Sequence, residues 1–254
     1  MLHKFRRKVL IFIALDIIYM NWTSDSYYFT KLKKEELFEL IHFYLRTTAE
    51  YYNLDDSHNE EYTYHYKNLL GEDLSFFDNS IYYVLRDRKL HNIHASIRIT
   101  YWDRETILPI QKLFSVTKEE LLSLKLNHYW HIGRFIISKR IEGQRISILK
   151  KMLFDAFFPP YSLDKGLIIA ECDKKLVNTL LRLGIPSYEL GSPIIYLYSE
   201  TLPIYIKTEW LDFFIQKNKA AQYGLTNSSD SDNFTLKAKD MGFQNNNGEN
   251  MLSN

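Results

Sequence analysis

Apolar positions recur along the chain in two rhythms, one helical and one alternating. Over residues 34–53, Leu37, Leu40, Ile41, Tyr44 and Leu45 fall at helical spacing and predict an amphipathic helix. Residues 54–74 are polar and acidic, with Asp55, Asp56, Glu60 and Glu61, and predict a mobile loop. Residues 81–87 predict a strand, residues 88–92 a turn and residues 93–102 a second strand. In that second strand Ile93, Ala95, Ile97, Ile99 and Tyr101 share one face, and His94, Ser96, Arg98, Thr100 and Trp102 the other. Thr117 and Glu120 have capping-box spacing, which predicts a short helix from Lys118. A strand follows at 128–138 with Gly133 inside it. Next comes a helix at 145–158, with Ile146, Leu149, Leu153, Ala156 and Phe157 as its buried stripe and Pro159-Pro160 as its stop. A strand at 166–171, a helix from Asp173 to Leu183 closed by Gly184, strands at 192–198 and 202–207, and a helix at 209–218 complete the pattern. From Lys219 the periodicity is lost in a stretch rich in Asn, Ser, Asp and Gly, which predicts a disordered tail over 219–254. Helices crossing between neighbouring strands imply an α/β (α+β) domain at 31–218, its mixed sheet covered on both faces, with residues 1–30 as a separate N-terminal segment.

Composition adds limits. A chain of 254 residues, 46% hydrophobic and 25% charged, can bury a full core without metals or disulfides. Its 19 Tyr and 16 Phe favour broad sheets and a roomy apolar cleft, and fit equally a genome rich in A and T. A net charge of +1 gives no sign of nucleic-acid binding. The single cysteine, Cys172, excludes a disulfide framework and a cysteine zinc cluster, reads as a small buried hydrophobe, and makes a reducing cytoplasm the default location. The histidines show no metal-ligand spacing, so no metal is expected. At the N-terminus, Lys4, Arg6, Arg7 and Lys8 precede an apolar run from Val9 to Met20 that Asp16 interrupts. The run has no small-residue cleavage site after it and is too short to span a bilayer. Two readings stay open for it: a first element packed on the core, or a peripheral membrane contact through residues 1–20.

The stretch 129–158 carries the most chemistry. A glycine inside a strand marks a bulge or a close backbone approach. A bulge frees backbone N–H groups that can hold a carbonyl or a developing oxyanion. Arg140-x-x-Gly143-x-Arg145 then leads into a helix, whose N-terminal N–H groups suit a phosphate. The pair suits a phosphate-bearing thioester carrier, and a plain strand–loop–helix unit with basic surface residues fits the same pattern.

R-x-x-G-x-R resembles the Q/R-x-x-G-x-G/A motif of the GNAT acyltransferase superfamily, with Arg145 in place of the last small residue. The stretch YWHIGRFIIS resembles the E-x-S-R-F strand of the acyl-homoserine-lactone (autoinducer) synthases and the related N-acyl amino acid synthases. Arg134 and Phe135 match it, Gly133 replaces Ser, and His131 stands where those enzymes have Glu. ASIRIT resembles their strand with a buried arginine, matched by Arg98. SFFDNSIYYVL resembles the D-x-x-D segment, with Asp78 as the second Asp and Ser75 in place of the first. FYLRTTAEYY resembles the first helix, with Arg46 at the family's arginine.

The resemblance covers about 31–218 and implies a GNAT fold whose central twisted sheet is mostly antiparallel. It implies direct acyl transfer from acyl carrier protein (ACP), or from acyl-CoA, to the amine of a small amino-acid-like acceptor, with no permanently bound cofactor. His131, Gly133, Arg134 and Phe135 would form the catalytic strand, and Arg46, Asp78 and Arg98 the acceptor side. Lys139, Arg140, Gly143, Gln144 and Arg145 would hold the carrier's phosphate. His131 reads as either the base or a core histidine, and Arg98 and Arg134 as functional or as structural ion pairs with Asp78 a partner for one of them. Lys139, Arg140, Arg145, Lys150 and Lys151 read as a docking patch for acidic ACP or as a solvated face. A lactone synthase using S-adenosylmethionine and a silent acyl-carrier or lipid-binding module are the other functions consistent with the residues.

Overall fold

The computed structural model describes residues 24–54, 60–141 and 143–223. One sheet organises them: β1 (Tyr27–Lys31), β2 (Ser80–Asp87), β3 (Ile93–Tyr101), β4 (His128–Ile137), β5 (Gly166–Asp173), β6 (Tyr188–Glu189), β7 (Ile194–Tyr196) and β8 (Ser199–Lys207). The order is β1-β2-β3-β4-β5-β8-β6, with β7 also paired to β8. Every pairing is antiparallel except β4–β5. The sheet thus begins at Tyr27, ahead of the expected domain start.

Helices cover both faces. On one face lie α1 (Leu37–Tyr52), α2 (Glu60–Phe76), α3 (Pro109–Phe114) and α4 (Lys118–Ser123). On the other lie α5 (Arg145–Tyr161), α6 (Lys174–Arg182) and α7 (Asp212–Tyr223). The larger core joins Ile97, Ile99 and Ile132 of the sheet to Met152, Phe154 and Phe157 of α5 and Phe214 of α7. On the opposite face Leu37, Leu40 and Phe43 of α1 pack on Tyr82 and Val84. The α4 capping box forms as predicted, Thr117 accepting from the Glu120 N–H. Gly184 has φ +78° after α6, a conformation costly for any residue with a Cβ, and so ends that helix.

Several expectations are corrected. Residues 60–76 are a helix, where a loop was expected. Its inner edge is narrow, with Leu69, Asp73 and Phe76 buried, and a charged residue inside that edge hides the periodicity. Pro159 and Pro160 do not stop α5, which runs to Tyr161. They lie in its last turn, and the Ser162 N–H still reaches the Phe158 carbonyl at 2.9 Å. Ile146, expected in the buried stripe, is 62% exposed. The helix turns Ile148, Met152 and Asp155 inward instead. Ile93 leaves the face of Ala95 and Ile97 because the β2–β3 register shifts at Leu85/Arg86, and it joins the α1 cluster. The expected strand 192–198 is the short β7 followed by a two-residue turn, and β8 starts at Ser199. α7 extends past residue 219 to Tyr223. The basic N-terminal run and residues 224–254 lie outside the described residues. No helix among the described residues is long and apolar enough to cross a membrane.

Candidate active site

The one parallel pairing creates the cleft. β4 and β5 pair from His128–Gly166 to Ile132–Ala170 and no further. Beyond that point β4 stays paired to β3 up to Ile137 and β5 to β8 up to Asp173. The two strands therefore splay with no ladder between them. A bulge shapes β4 at the same place: Arg98 opposes Gly133, Ser96 opposes Ile136, and β4 carries one residue more than β3 across that interval. Arg134 takes φ +53°, a left-handed conformation that is strained for a residue with a Cβ. The bulge resets strand parity, so His131 and Arg134 reach the same charged cluster.

The gap opens into a cleft of about 430 Å³. Gly133, Arg134 and Phe135 of β4 and Glu171, Cys172 and Asp173 of β5 line its mouth. Tyr44, Tyr51 and Tyr52 of α1 and Tyr196 of β7 wall one side. Its depth is apolar, reaching Leu153, Phe157, Ile168 and Ile206.

At the apex of the splay lies a buried charge cluster. Asp73, fully buried, accepts from Arg98 Nη1 at 2.5 Å, Arg134 Nε at 2.7 Å and the Tyr82 hydroxyl at 2.8 Å. Glu72 accepts from Arg134 Nη2 at 2.7 Å and Arg98 Nη1 at 3.2 Å. Burial opposes the ionisation of Glu72, but the Arg134 and Arg98 guanidiniums prevail and hold its carboxyl at about 2. Arg98 Nη2 donates to His131 Nδ1 at 3.2 Å, and His131 Nε2 lies 2.9 Å from Glu171 Oε2. A guanidinium can only donate and a carboxylate only accept, so Nδ1 serves as acceptor toward Arg98 and Nε2–H as donor toward Glu171. Gly133 permits this approach: a Cβ there would lie 3.0 Å from Arg98 Nη2 and 3.2 Å from His131 Cε1. Two guanidiniums thus face three carboxylates, and among the described residues Glu171 has no arginine or lysine partner, only His131.

His131, Gly133, Arg134, Phe135 and Arg98 are brought together, although His131 is fully buried and does not line the cleft, whereas its partner Glu171 does. Asp78 is not a partner of either arginine. Its side chain is 85% exposed on a 3₁₀ turn after α2 and meets Lys34 at 3.6 Å, because the inner edge of α2 supplies the counter-charges instead. Arg46 is exposed and lines a separate pocket of about 130 Å³ with Arg140 and Glu50. It stands apart from Arg98 because α1 turns Tyr44 and Tyr51, not Arg46, toward the cleft.

At the far end of the cleft Arg145 donates to the Tyr51 hydroxyl and, at 3.3 Å, to the Ser138 carbonyl. Tyr51 in turn donates to the Ile137 carbonyl at 2.6 Å. Lys139 and Arg140 are tied to Glu50, each at 2.7 Å. Gly143 and Gln144 are exposed at the α5 N-terminus. Lys151 does not belong to a basic surface: it is buried and paired to Asp155 at 2.5 Å. Cys172 is buried, and burial, then the neighbouring Glu171 and Asp173, pushes its thiol well up.

Sequence reading missed Glu72, Asp73, Glu171 and Tyr196. Glu171 had a signal, as the one charged residue between Leu167 and Cys172 of an apolar strand.

The sheet order, the splayed parallel pair and the β4 bulge together form a GNAT fold. Among solved structures the chain is similar to TofI in its apo form, at 15% identity over 74% of this chain and 95% of that one, TM-score 0.50. It is also similar to FeeM, an N-acyl amino acid synthase from uncultured soil microbes, at 12% identity over 75% of this chain and 97% of that one, TM-score 0.48. The CoA-dependent acyl-homoserine lactone synthase BjaI, solved with SAM and isopentyl-CoA, matches at 9% identity over 72% of this chain and 82% of that one, TM-score 0.44. No protein-family model and no curated protein sequence matches the chain.

Proposed function

We propose that the protein is an N-acyltransferase, moving a fatty acyl group from an acyl-ACP or acyl-CoA thioester to the amine of a small amino-acid-like acceptor. The observation that carries this reading is the splayed β4–β5 cleft with Glu171 at its apex, apolar in its depth and basic at its far end. The acyl chain lies in the apolar depth. The carrier arm runs along the open edge of β4 toward Arg145 and the α5 N-terminus. The amine nitrogen attacks the thioester carbonyl, a C–N bond forms and the C–S bond breaks. N–H groups freed by the bulge offer donors to the oxyanion. Glu171, the carboxylate without an arginine or lysine partner among the described residues, accepts the amine proton, and His131, its Nδ1 already occupied by Arg98, orients that carboxylate. Cys172 is no nucleophile, since a buried thiol with a raised pKa is unreactive. Transfer is therefore direct.

The test is incubation with decanoyl-ACP or decanoyl-CoA and a panel of L-amino acids, their amides and simple aliphatic amines, reading free thiol and N-acyl product. Glu171→Gln should lower kcat by about 10²-fold or more, the usual span for losing a general base. If no thiol is released with any amine, the proposal fails.

A further inference from the structure

The small pocket around Arg46 shares no lining residue with the cleft. Arg46, Thr47 and Glu50 of α1 form one wall, Asn92 and His94 around the start of β3 a second, and Arg140 after β4 a third. Its volume of about 130 Å³ is well below the roughly 300–1,000 Å³ of pockets that take drug-sized ligands, so it suits a small polar guest.

The walls carry more positive charge than negative. Glu50 is the carboxylate among them, and Arg140 Nη2 already holds it at 2.7 Å. The Lys139 ammonium adds a further cation at the Glu50 carbonyl, also at 2.7 Å. Asp87 stands behind His94 Nε2 at 3.2 Å, but its oxygens are spent on the β2–β3 turn, where they accept the Lys89, Leu90 and Asn92 N–H groups. Among the described residues the Arg46 guanidinium has neither a hydrogen bond nor an ion pair.

Thr47 gives the pocket a second, independent mark. It is 1% exposed, and among the described residues its hydroxyl has no hydrogen-bond partner. Buried polar groups are nearly always paired. A helical threonine can bond the carbonyl four residues back, and Thr48 next to it does so with Tyr44 at 2.8 Å. Thr47 forgoes that bond on the wall of the pocket. The Asn92 side-chain amide is likewise unbonded among the described residues. Donors therefore gather from three elements: the Arg46 guanidinium and the Thr47 hydroxyl from α1, the Asn92 amide before β3, and the remaining N–H groups of Arg140. A planar carboxylate is satisfied by one guanidinium fork, whereas donors spread over three elements match the oxygens of a tetrahedral anion.

We propose that this pocket binds a free tetrahedral oxyanion of the phosphate class, separate from the acyl-transfer cleft. The ion ties the loop after β4 to α1 and to the β2–β3 turn, beside the Arg140–Glu50 pair. The site is independent of the acyl-transfer reading, and its test needs no turnover.

The experiment is isothermal titration of the full-length protein with inorganic phosphate, in chloride buffer at fixed ionic strength. One saturable equivalent should bind. Arg46→Gln should weaken it by about tenfold or more, the loss of a charge-assisted hydrogen bond, and Thr47→Val by about two- to tenfold, the loss of a neutral one. Arg46 is exposed, so its variant should fold as the wild type does. Arg145→Ala, at the carrier end of the cleft, should leave that equivalent intact. Sulfate should displace phosphate and acetate should not. Absence of saturable binding, or wild-type affinity in Arg46→Gln, would overturn the proposal. So would displacement by acetate, which would remove the tetrahedral class. Loss of binding in Arg145→Ala, or displacement of phosphate by one equivalent of CoA, would assign the ion to the carrier end of the cleft and overturn the separate site.

Discussion

Replacing Asp73 by Asn isolates what the buried cluster contributes to stability. Asp73 is fully buried and accepts from both Arg98 Nη1, at 2.5 Å, and Arg134 Nε, at 2.7 Å. The amide keeps the shape and one oxygen but loses the charge, and its NH2 must face a guanidinium donor. Arg98, fully buried, and Arg134, 7% exposed, then share only Glu72. Each lost pairing is worth about 4 kcal/mol at 4 Å in a medium of dielectric about 20, before relaxation. Removing one partner of a buried pair costs about 3–5 kcal/mol in practice, and that range is expected here. It is a large share of a total stability of about 5–15 kcal/mol. Urea unfolding followed by tryptophan fluorescence should show the midpoint fall with m unchanged. Asp78→Asn is the comparison: its exposed side chain should shift stability by no more than about 0.5 kcal/mol. If Asp73→Asn costs less than about 1 kcal/mol at unchanged m, the guanidiniums do not depend on Asp73 and the account of the cluster is wrong.

Three further outcomes follow from the same geometry. Glu72 is held at about 2 against an ordinary 4.5, so its stabilisation is present above pH 4.5 and is lost as pH falls toward 2. Its size is about 3 kcal/mol, and the stability gap between wild type and Glu72→Gln should close across that window; a gap independent of pH would contradict the assignment. Gly133→Ala places a Cβ against Arg98 Nη2 and His131 Cε1 and should lower kcat between about ten- and a hundredfold, as small displacements at a reacting centre do; steady-state kinetics at full activity would refute the close fit. Arg145→Ala should raise the KM for a carrier-bound donor about tenfold while kcat is kept, the signature of lost ground-state binding; a fall in kcat at unchanged KM would place Arg145 elsewhere in the reaction.

Much of the fold can be read from local pattern because the pattern is strong where apolar faces are wide. The strand at 93–102 alternates cleanly, and the Thr117–Glu120 cap and the Gly184 stop are local chemistry that needs no tertiary contact. The failures occur where a helix hides its buried edge. In α5 the inward positions include Lys151 and Asp155, each neutralising the other at 2.5 Å, so the outward Ile146 looks like core and the buried lysine looks like surface. Pro159 and Pro160 mislead for a related reason. In a last turn a proline removes a hydrogen bond without ending the helical path.

The site shows the same division. Gly133 inside a strand is a local mark of the β4 bulge, and it leads to His131, Arg134 and, across the ladder, Arg98. Two buried guanidiniums require acidic partners, so the kind of partner was deducible, but its position was not. Asp73 is 25 residues from Arg98 and 61 from Arg134, and only the packing of α2 joins them. Reading 54–74 as a loop and choosing Asp78 as the partner are a single error, because a mobile loop cannot hold a fixed carboxylate against a buried arginine. The correction carries a physical consequence. α2 buries few apolar side chains, so the ion pairs of Glu72 and Asp73 are a main tie between it and the sheet. The helix that completes the charge balance of the site is therefore itself held in place by that balance, and weakening either should weaken both.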